Sequence, residues 1–362
     1  MNILVIGGGG REHAIIKKLK ENPAVEVIYA LPGNGGIEKD AQCVGIGATD
    51  IDGIAAFAKE HTVDYAVVAP DDPLVLGCVD ALESMGIPCF GPRANAAIIE
   101  GSKVFSKNLM KKYGIPTASY ETFSDMDAAL KYLETAPVPT VIKADGLALG
   151  KGVIIAQTRQ EAFQAVREMM ADKKFGKSGE NIVIEEFLTG PEVSVLSFTD
   201  GKTVVPMISS MDHKRAGDGD TGLNTGGMGT IAPNPYYTPD GPKVIEYNCR
   251  FGDPETQVVL PLLQSDLLTV MQAVTDGTLA ETEVRFCDQH ACCVIMASEG
   301  YPVSYEKGFE ISIPEETLKG TVDRILKQIP VQRQGFVEFP EHTDIIAKEI
   351  QLLTRMREHI KE

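Results

Sequence analysis

The chain opens on a strand, a run of glycines and a helix, and that order limits it to few architectures. Asn2–Ile6 is a short apolar run, Gly7-Gly8-Gly9-Gly10 follows, and His13–Lys20 reads as an amphipathic helix. Val25–Leu31 reads as a second strand, ended by Pro32-Gly33-Asn34-Gly35-Gly36. Tyr65–Ala69 reads as another, ended by Pro70-Asp71-Asp72-Pro73. This rhythm predicts a parallel sheet with ligands at the carboxyl ends of its strands. Gly91-Pro92-Arg93 reads as the hinge out of that unit.

The glycines invite a dinucleotide reading, and the neighbouring residues oppose it. With Gly7 and Gly9 as the first two glycines of such a fingerprint, Glu12 takes the third place; with Gly8 and Gly10, His13 does. Neither is small enough for close packing of helix on strand. The second strand also ends at Tyr29-Ala30-Leu31, with no acid for a ribose hydroxyl. A small phosphate or sugar phosphate at the helix N-terminus is the favoured reading, and a ligand-free glycine turn is the plainer alternative.

A second style begins near Glu100. Val138–Ala144 and Gly152–Gln157 read as strands joined by a glycine loop that contains Gly150 and Lys151. Arg159–Ala171 reads as a helix with Phe163, Val166, Met169 and Met170 on one apolar face. Strands Ile182–Phe187, Glu192–Thr199 and Lys202–Ile208 follow, the last two linked by Asp200-Gly201 as a two-residue hairpin turn. Antiparallel strands carrying one helix predict a small lid standing on a larger base. The loop Gly146–Gly152 superficially resembles a P-loop but is one residue short and has Gly152 where magnesium would need a hydroxyl. Closing a hairpin, it can instead lay backbone N–H groups over phosphates. Lys143 stands between apolar neighbours, so it must pair, snorkel or face a ligand; beside this loop, phosphate is the favoured reading.

Two further stretches carry chemistry. After a short strand Lys243–Ile245, alternation puts Glu246, Asn248 and Arg250 on one face. Two hard oxygens suit Mg²⁺, which keeps water and takes few protein ligands, and Arg250 could hold a carboxylate or an acyl phosphate oxygen. Asp212–Gly229 is too rich in glycine and charge for a core and too long for a turn.

Composition sets the outer bounds. The 362 residues are enough for two or three packed units. A net charge of −17 opposes nucleic acid as a partner, though local lysines and amides can still hold small anions. The seven cysteines lack Cys-x-x-Cys spacing, which fits small buried hydrophobes in a reducing compartment. Nothing near Met1 reads as a targeting signal, and no apolar run approaches the ~18 residues of a membrane span. A soluble, cytoplasmic protein without membrane or nucleic-acid partners is expected.

Together these motifs resemble a known family. Lys143–Val153 resembles the lysine strand and flap of the ATP-grasp fold, and Glu185-Glu186-Phe187-Leu188 the segment that lines its adenine pocket. Gly7–Ala14, Pro32–Gly35, Asp71–Leu74 and Asp212–Gly229 are similar to the phosphoribosylamine–glycine ligase family. The resemblance spans Met1 to about Tyr237 and Gly241 to about Gly308. Asp71 stands where the family usually has glutamate, and Leu223 where it has proline.

The resemblance implies an α/β ATP-grasp fold with an N-terminal parallel-sheet (Rossmann-like) domain, a small lid subdomain and a truncated C-terminal domain. The expected boundaries are 1–100 for substrate binding, 101–290 for ATP-grasp with its lid at about 120–190, and 291–362 for a partly unmatched C-terminal domain. It implies ATP-dependent ligation of glycine to 5-phosphoribosylamine through glycyl phosphate, as a step of purine biosynthesis. No protein nucleophile is needed, in keeping with the lack of a Ser/His/Asp or Cys/His signature.

By the same resemblance, Lys103, Lys143, Gly150, Lys151, Glu185, Glu186, Leu188 and Glu192 bind ATP, and Glu246 and Asn248 hold Mg²⁺, for which Mn²⁺ could substitute. Arg250, Lys143 and Asp212 serve catalysis. Gly9, Gly10, Arg11, His13, Asn34, Asp71, Lys214, Asn224, Gly226 and Asp253 contact substrate. The partners are the small molecules ATP, glycine and phosphoribosylamine, and a monomer is expected. The family carries several dozen residues between the segments that here join at Asp240–Gly241, and Phe309–Glu362, with its charged helix Asp344–Lys361, is unmatched. The alternatives are another ATP-grasp carboxylate–amine ligase, or a deletion form that binds nucleotide with impaired turnover.

Overall fold

A computed structural model describes residues 1–147, 152–172, 176–234 and 241–306. Contacts divide the chain into two units: Met1–Pro191 with Tyr236–Gly252 and Asp266–Glu283, and Glu192–Pro235 with Asp253–Ser265 and Val284–Glu362. Gly150, Lys151, the join at Asp240 and the helix expected at Asp344–Lys361 lie outside the described residues.

The first unit holds two sheets. Strands β1 (Asn2–Gly7), β2 (Val27–Pro32), β3 (Gln42–Cys43), β4 (Tyr65–Val68) and β5 (Cys89–Phe90) form the expected parallel sheet in the order β3-β2-β1-β4-β5. The central strand is paired on both edges and covered on both faces, so Ile3, Leu4, Val5 and Ile6 are all fully buried. That is why it reads as an unbroken apolar run. Helix α1 (Gly10–Leu19) begins earlier than the expected His13, because Glu12 reaches back to accept the Gly9 N–H at 2.6 Å and so stabilises an earlier start. Asp71 and Asp72, expected in a strand-ending turn, instead open a short helix, Asp71–Val75.

The second sheet is antiparallel, in the order β6-β9-β7-β8, from β6 (Tyr120–Phe123), β7 (Thr140–Ala144), β8 (Val153–Ala156) and β9 (Ile182–Glu186). Two helices cover one face where one was expected, Met126–Leu133 and Arg159–Met170. The first, only eight residues long, is short for a periodicity reading, and the Asp125 carboxylate caps it by accepting the Ala128 N–H at 2.8 Å. Ile142 and Ala144 of β7, with Ile182 and Ile184 of β9, pack into those helices. Alternation therefore turns Lys143 and Glu185 to the opposite face.

The second unit contains a three-stranded antiparallel sheet, β12 (Met211–Asp212), β15 (Gly229–Ala232) and β16 (Ala291–Val294), in the order β12-β15-β16. It also contains two hairpins, β10 (Ser197–Thr199) with β11 (Val204–Pro206) and β13 (Arg215–Gly217) with β14 (Thr221–Asn224). The first hairpin closes through Asp200–Thr203 and not through a two-residue turn, because Asp200 Oδ1 accepts the Lys202 and Thr203 N–H groups at 2.8 and 2.7 Å. The strand expected from Glu192 begins only at Ser197, after a single bridge between Ser194 and Ser210.

All seven cysteines are free, Cys78 and Cys89 buried and the rest partly so. Among the described residues no helix is long and apolar enough to cross a membrane.

Candidate active site

In the first unit, charged side chains gather on the face of the antiparallel sheet opposite those two helices. Lys143 pairs with Val183 across β7 and β9, and Val141 with Glu185, so Lys143 and Glu185 are diagonal neighbours. Their side chains form an ion pair, each 5% exposed. A second lysine, Lys107 on helix Lys103–Tyr113, lies 2.6 Å from the other Glu185 oxygen and is 2% exposed. Lys103 begins the same helix, which Ser102 caps by accepting the Phe105 N–H at 3.0 Å. The Lys103 ammonium donates to the Gly146 carbonyl at 2.7 Å, beside the glycine loop. Burial pushes Lys103 below the usual lysine range, with Glu246 opposing and Lys143 reinforcing that shift. A cation in this state gains from any anion brought to it.

Glu186 is exposed and accepts the Ser119 N–H at 3.2 Å; Leu188 is partly buried. Glu246 and Asn248 present exposed oxygens on the segment after Val244. The strand expected at Lys243–Ile245 is reduced to one bridge between Val244 and Thr117. A strand needs a ladder of partners, and among the described residues Val244 has one bridge, with its N–H donating to the Pro116 carbonyl at 2.8 Å. Arg250 pairs with buried Glu100 at 2.8 Å and donates to Asn248 Oδ1 at 3.1 Å. Glu100 also accepts the Cys249 N–H at 2.8 Å, and burial raises its pKa despite Arg250.

No group of three or more His, Cys, Asp or Glu among the described residues could hold a metal alone. Glu246 and Asn248 still fit Mg²⁺ that arrives with phosphate oxygens and water, since the Asn248 carbonyl retains a second lone pair.

At the glycine run, two glycines are required for space. A Cβ at Gly7 would lie 2.6 Å from the Glu12 side chain, and one at Gly8 would lie 2.5 Å from the Gly33 carbonyl oxygen. Asn34 donates to the Gly8 carbonyl at 2.7 Å and accepts from Gly36 and Ile37, which ties the two strand ends together. Gly9 and Gly10 form the N-terminus of α1. His13 faces Asp40 at 2.8 Å, whereas Arg11 is turned inward, paired with Glu12 at 2.6 Å. Asp71 Oδ1 accepts the Asp72 N–H at 3.1 Å.

The second unit carries its own cluster. Asp212 is half-buried, and its pKa is pushed up to about 6, first by burial and then by Glu255 and Glu192, against the pull of Lys214. Lys214 is ion-paired with Glu192. The segment Asp212–Gly229, too long for a turn, includes the hairpin β13–β14, which places Asn224 opposite Arg215. The Gly226 N–H donates to the Tyr301 hydroxyl at 3.2 Å, and Asp253 accepts from Gln257 at 2.5 Å.

Sequence reasoning missed Lys107, Thr117 and Glu100. Lys107 did leave a signal: it stands three residues before Met110 on the buried face of its helix, where a lysine needs a partner.

Two family models match the chain: the phosphoribosylglycinamide synthetase N domain over residues 1–100 and the ATP-grasp (A) domain of the same enzyme over residues 101–241. Proteins named phosphoribosylamine–glycine ligase from Halalkalibacterium halodurans and Pasteurella multocida are 46% and 44% identical over 349 and 352 residues, covering 86% of this chain and 81% and 82% of theirs. The crystal structure of phosphoribosylamine–glycine ligase from Thermotoga maritima superposes with a TM-score of 0.74 at 29% identity, over 87% of this chain and 85% of that one. A biotin carboxylase from Campylobacter jejuni shares the fold at a TM-score of 0.65 and 14% identity, over 83% and 77% of the two chains. The chain belongs to the phosphoribosylamine–glycine ligase family of ATP-grasp proteins.

Proposed function

We propose that the protein joins glycine to 5-phosphoribosylamine with ATP, giving glycinamide ribonucleotide, ADP and phosphate, as a step of purine biosynthesis. The observation that carries this reading is the set of buried cations around Glu185 on one face of an ATP-grasp sheet, in a chain with relatives of that name.

Lys103 and Lys143 take phosphate oxygens, with Gly150 and Lys151 of the loop. Glu185, Glu186 and Leu188 line the adenine pocket, and Glu192 takes the ribose. Glu246 and Asn248 hold Mg²⁺, or Mn²⁺ in its place; when bound, that ion neutralises phosphate charge. Arg250 orients the glycine carboxylate, which attacks the γ-phosphate and forms glycyl phosphate while ADP leaves. The amine of phosphoribosylamine then attacks the acyl carbon, releasing phosphate and leaving an amide. The positioned lysines offset negative charge as it spreads over the transferring group, and little else is asked of the protein.

Gly9, Gly10, Arg11, His13, Asn34 and Asp71 form the sugar-phosphate end in this reading. Asp212, Lys214, Asn224, Gly226 and Asp253 serve glycine and its activated form. Residues 1–100 act as the substrate domain, 101–290 as the ATP-grasp domain with its lid at about 120–190, and 291–362 as a C-terminal domain. The protein acts as a cytoplasmic monomer without nucleic-acid or membrane partners.

The test is ADP release from Mg-ATP with freshly generated phosphoribosylamine, with and without glycine. Glycine-dependent release that chelation by EDTA abolishes supports the ligase. Release driven equally by other amino acids favours a different carboxylate–amine ligase. ATP binding without release identifies a form that has lost turnover.

A further inference from the structure

Glu185 serves two lysines at once. One oxygen is ion-paired with Lys143, and the other lies 2.6 Å from the Lys107 ammonium. The two lysines differ in their alternatives. Lys143 stands on the strand that leads into the glycine loop, and its other contact is a long one, to the Ile245 carbonyl at 3.5 Å. Lys107 is held on a second side: it donates to the Thr117 hydroxyl at 2.7 Å, and that hydroxyl donates to the Val244 carbonyl at 2.5 Å. The same Thr117 makes the single bridge to Val244, two residues before Glu246.

Suppose a polyphosphate arrives. Lys143 is free to exchange one anion for another, because both of its present contacts are replaceable. Glu185 would then be a carboxylate only 5% exposed that has just lost a cation, a costly state unless a second positive charge stays. Lys107 supplies that charge. It cannot itself follow the phosphate without abandoning both Glu185 and Thr117. Burial and the nearby Lys143 hold Lys107 below the usual lysine range, so departure of Lys143 also favours its charged form.

We propose that Lys107 is a positioning residue of the nucleotide site: it keeps the Glu185 carboxylate paired and in place when Lys143 turns to phosphate, and through Thr117 it ties that carboxylate to the segment carrying Glu246. This rests on the ATP reading above. Lys107 touches no reacting atom; it acts through Glu185 and Val244.

The test uses the full chain and four proteins: wild type, Lys107→Met, Lys107→Arg and Thr117→Val. Binding of ATP with Mg²⁺ is measured by calorimetry, the Mg²⁺ concentration for half-maximal ADP release by titration, and folding by the thermal midpoint. Lys107→Met, which keeps the stem and loses the charge, is expected to weaken ATP binding about tenfold, and Lys107→Arg to recover most of it. Thr117→Val is expected to leave ATP affinity within twofold and to raise the Mg²⁺ requirement severalfold, a split that general loosening would not produce. Wild type that binds no nucleotide overturns the ATP reading and this inference with it. Wild-type binding matched within twofold by a folded Lys107→Met overturns this inference alone. If Lys107→Met does not fold, Thr117→Val decides, and an unchanged Mg²⁺ requirement overturns the inference.

Discussion

Arg11 and Arg250 donate to the same acceptor, the Phe251 carbonyl, each at 3.2 Å. One arginine belongs to the helix after the glycine run and the other to the segment after Asn248, so a single oxygen joins two stretches far apart in the sequence. Arg11 also pairs with Glu12, whose side chain is only 2% exposed. Arg11→Leu would remove the cation from a buried carboxylate that keeps only the Gly9 N–H. The expected cost is about 2–4 kcal/mol, read as a shift in the urea midpoint. Arg11→Lys should recover little of it, because one ammonium cannot reach both Glu12 and Phe251 in the guanidinium's planar geometry. Full stability in Arg11→Leu would show that Glu12 is held without its partner.

Asp212 sets an opposite pH trend from most carboxylates. Its pKa in the fold, about 6, lies above the ordinary value of 3.8, so folding favours its protonated form. Its contribution to stability is fully present below the ordinary value and is lost as pH rises through about 6. Asp212→Asn should therefore flatten the stability profile across that window and raise stability at neutral pH by about 1–2 kcal/mol. If Asp212 serves catalysis as proposed, the same change should lower glycine-dependent turnover while stability rises. A variant no more stable than wild type at neutral pH would place the ionised carboxylate in good contact with Lys214.

Much of this was legible in advance, for definite reasons. Asn2–Ile6 announced a strand of a parallel sheet because a short apolar run there leads straight into glycines. Lys143 announced a charged site because its neighbours Ile142 and Ala144 had to face a core. Lys107 and Glu100 were not identified, because their partners Glu185 and Arg250 are distant in sequence and only the fold joins them. The hairpin inside Asp212–Gly229 was hidden by composition: Gly219 and Asp220 look like loop residues, yet their positive φ angles of 68° and 59° are what turn β13 into β14. The strand at Lys243–Ile245 was over-read, since apolar alternation cannot tell whether a neighbouring strand is present.

Asp40 gathers two lysines and a histidine, with His13 at 2.8 Å, Lys20 at 2.9 Å and Lys17 at 3.2 Å. The hydrogen bond from His13, then that from Lys20, holds its carboxyl well below the usual aspartate range. Here the sign is the ordinary one: the stabilisation is present above the usual aspartate value and is lost as pH falls toward the lower folded value. Asp40→Asn should leave acid unfolding less steep below pH about 4 while lowering stability at neutral pH. Added salt should shrink the difference, because the cluster lies near solvent. Identical acid profiles for the two proteins would count against the cluster as a source of stability.

The glycine run offers the sharpest separation of structure from binding. A side chain at Gly8 would meet the Gly33 carbonyl oxygen at 2.5 Å, a backbone atom with no rotamer to escape into, whereas one at Gly45 would meet nothing within 4 Å. Gly45→Ala is therefore expected to be neutral within about 0.5 kcal/mol. Gly8→Ala must push apart the ends of β1 and β2, which Asn34 holds through its 2.7 Å bond to the Gly8 carbonyl. The expected cost is about 1–3 kcal/mol of stability. If this turn holds the sugar phosphate, the KM for phosphoribosylamine should rise by more than tenfold while ATP affinity stays near that of wild type, because Lys103, Lys107, Lys143 and Glu185 stand on other elements. A stability loss with unchanged KM would make the turn a packing device, and would move the phosphate elsewhere.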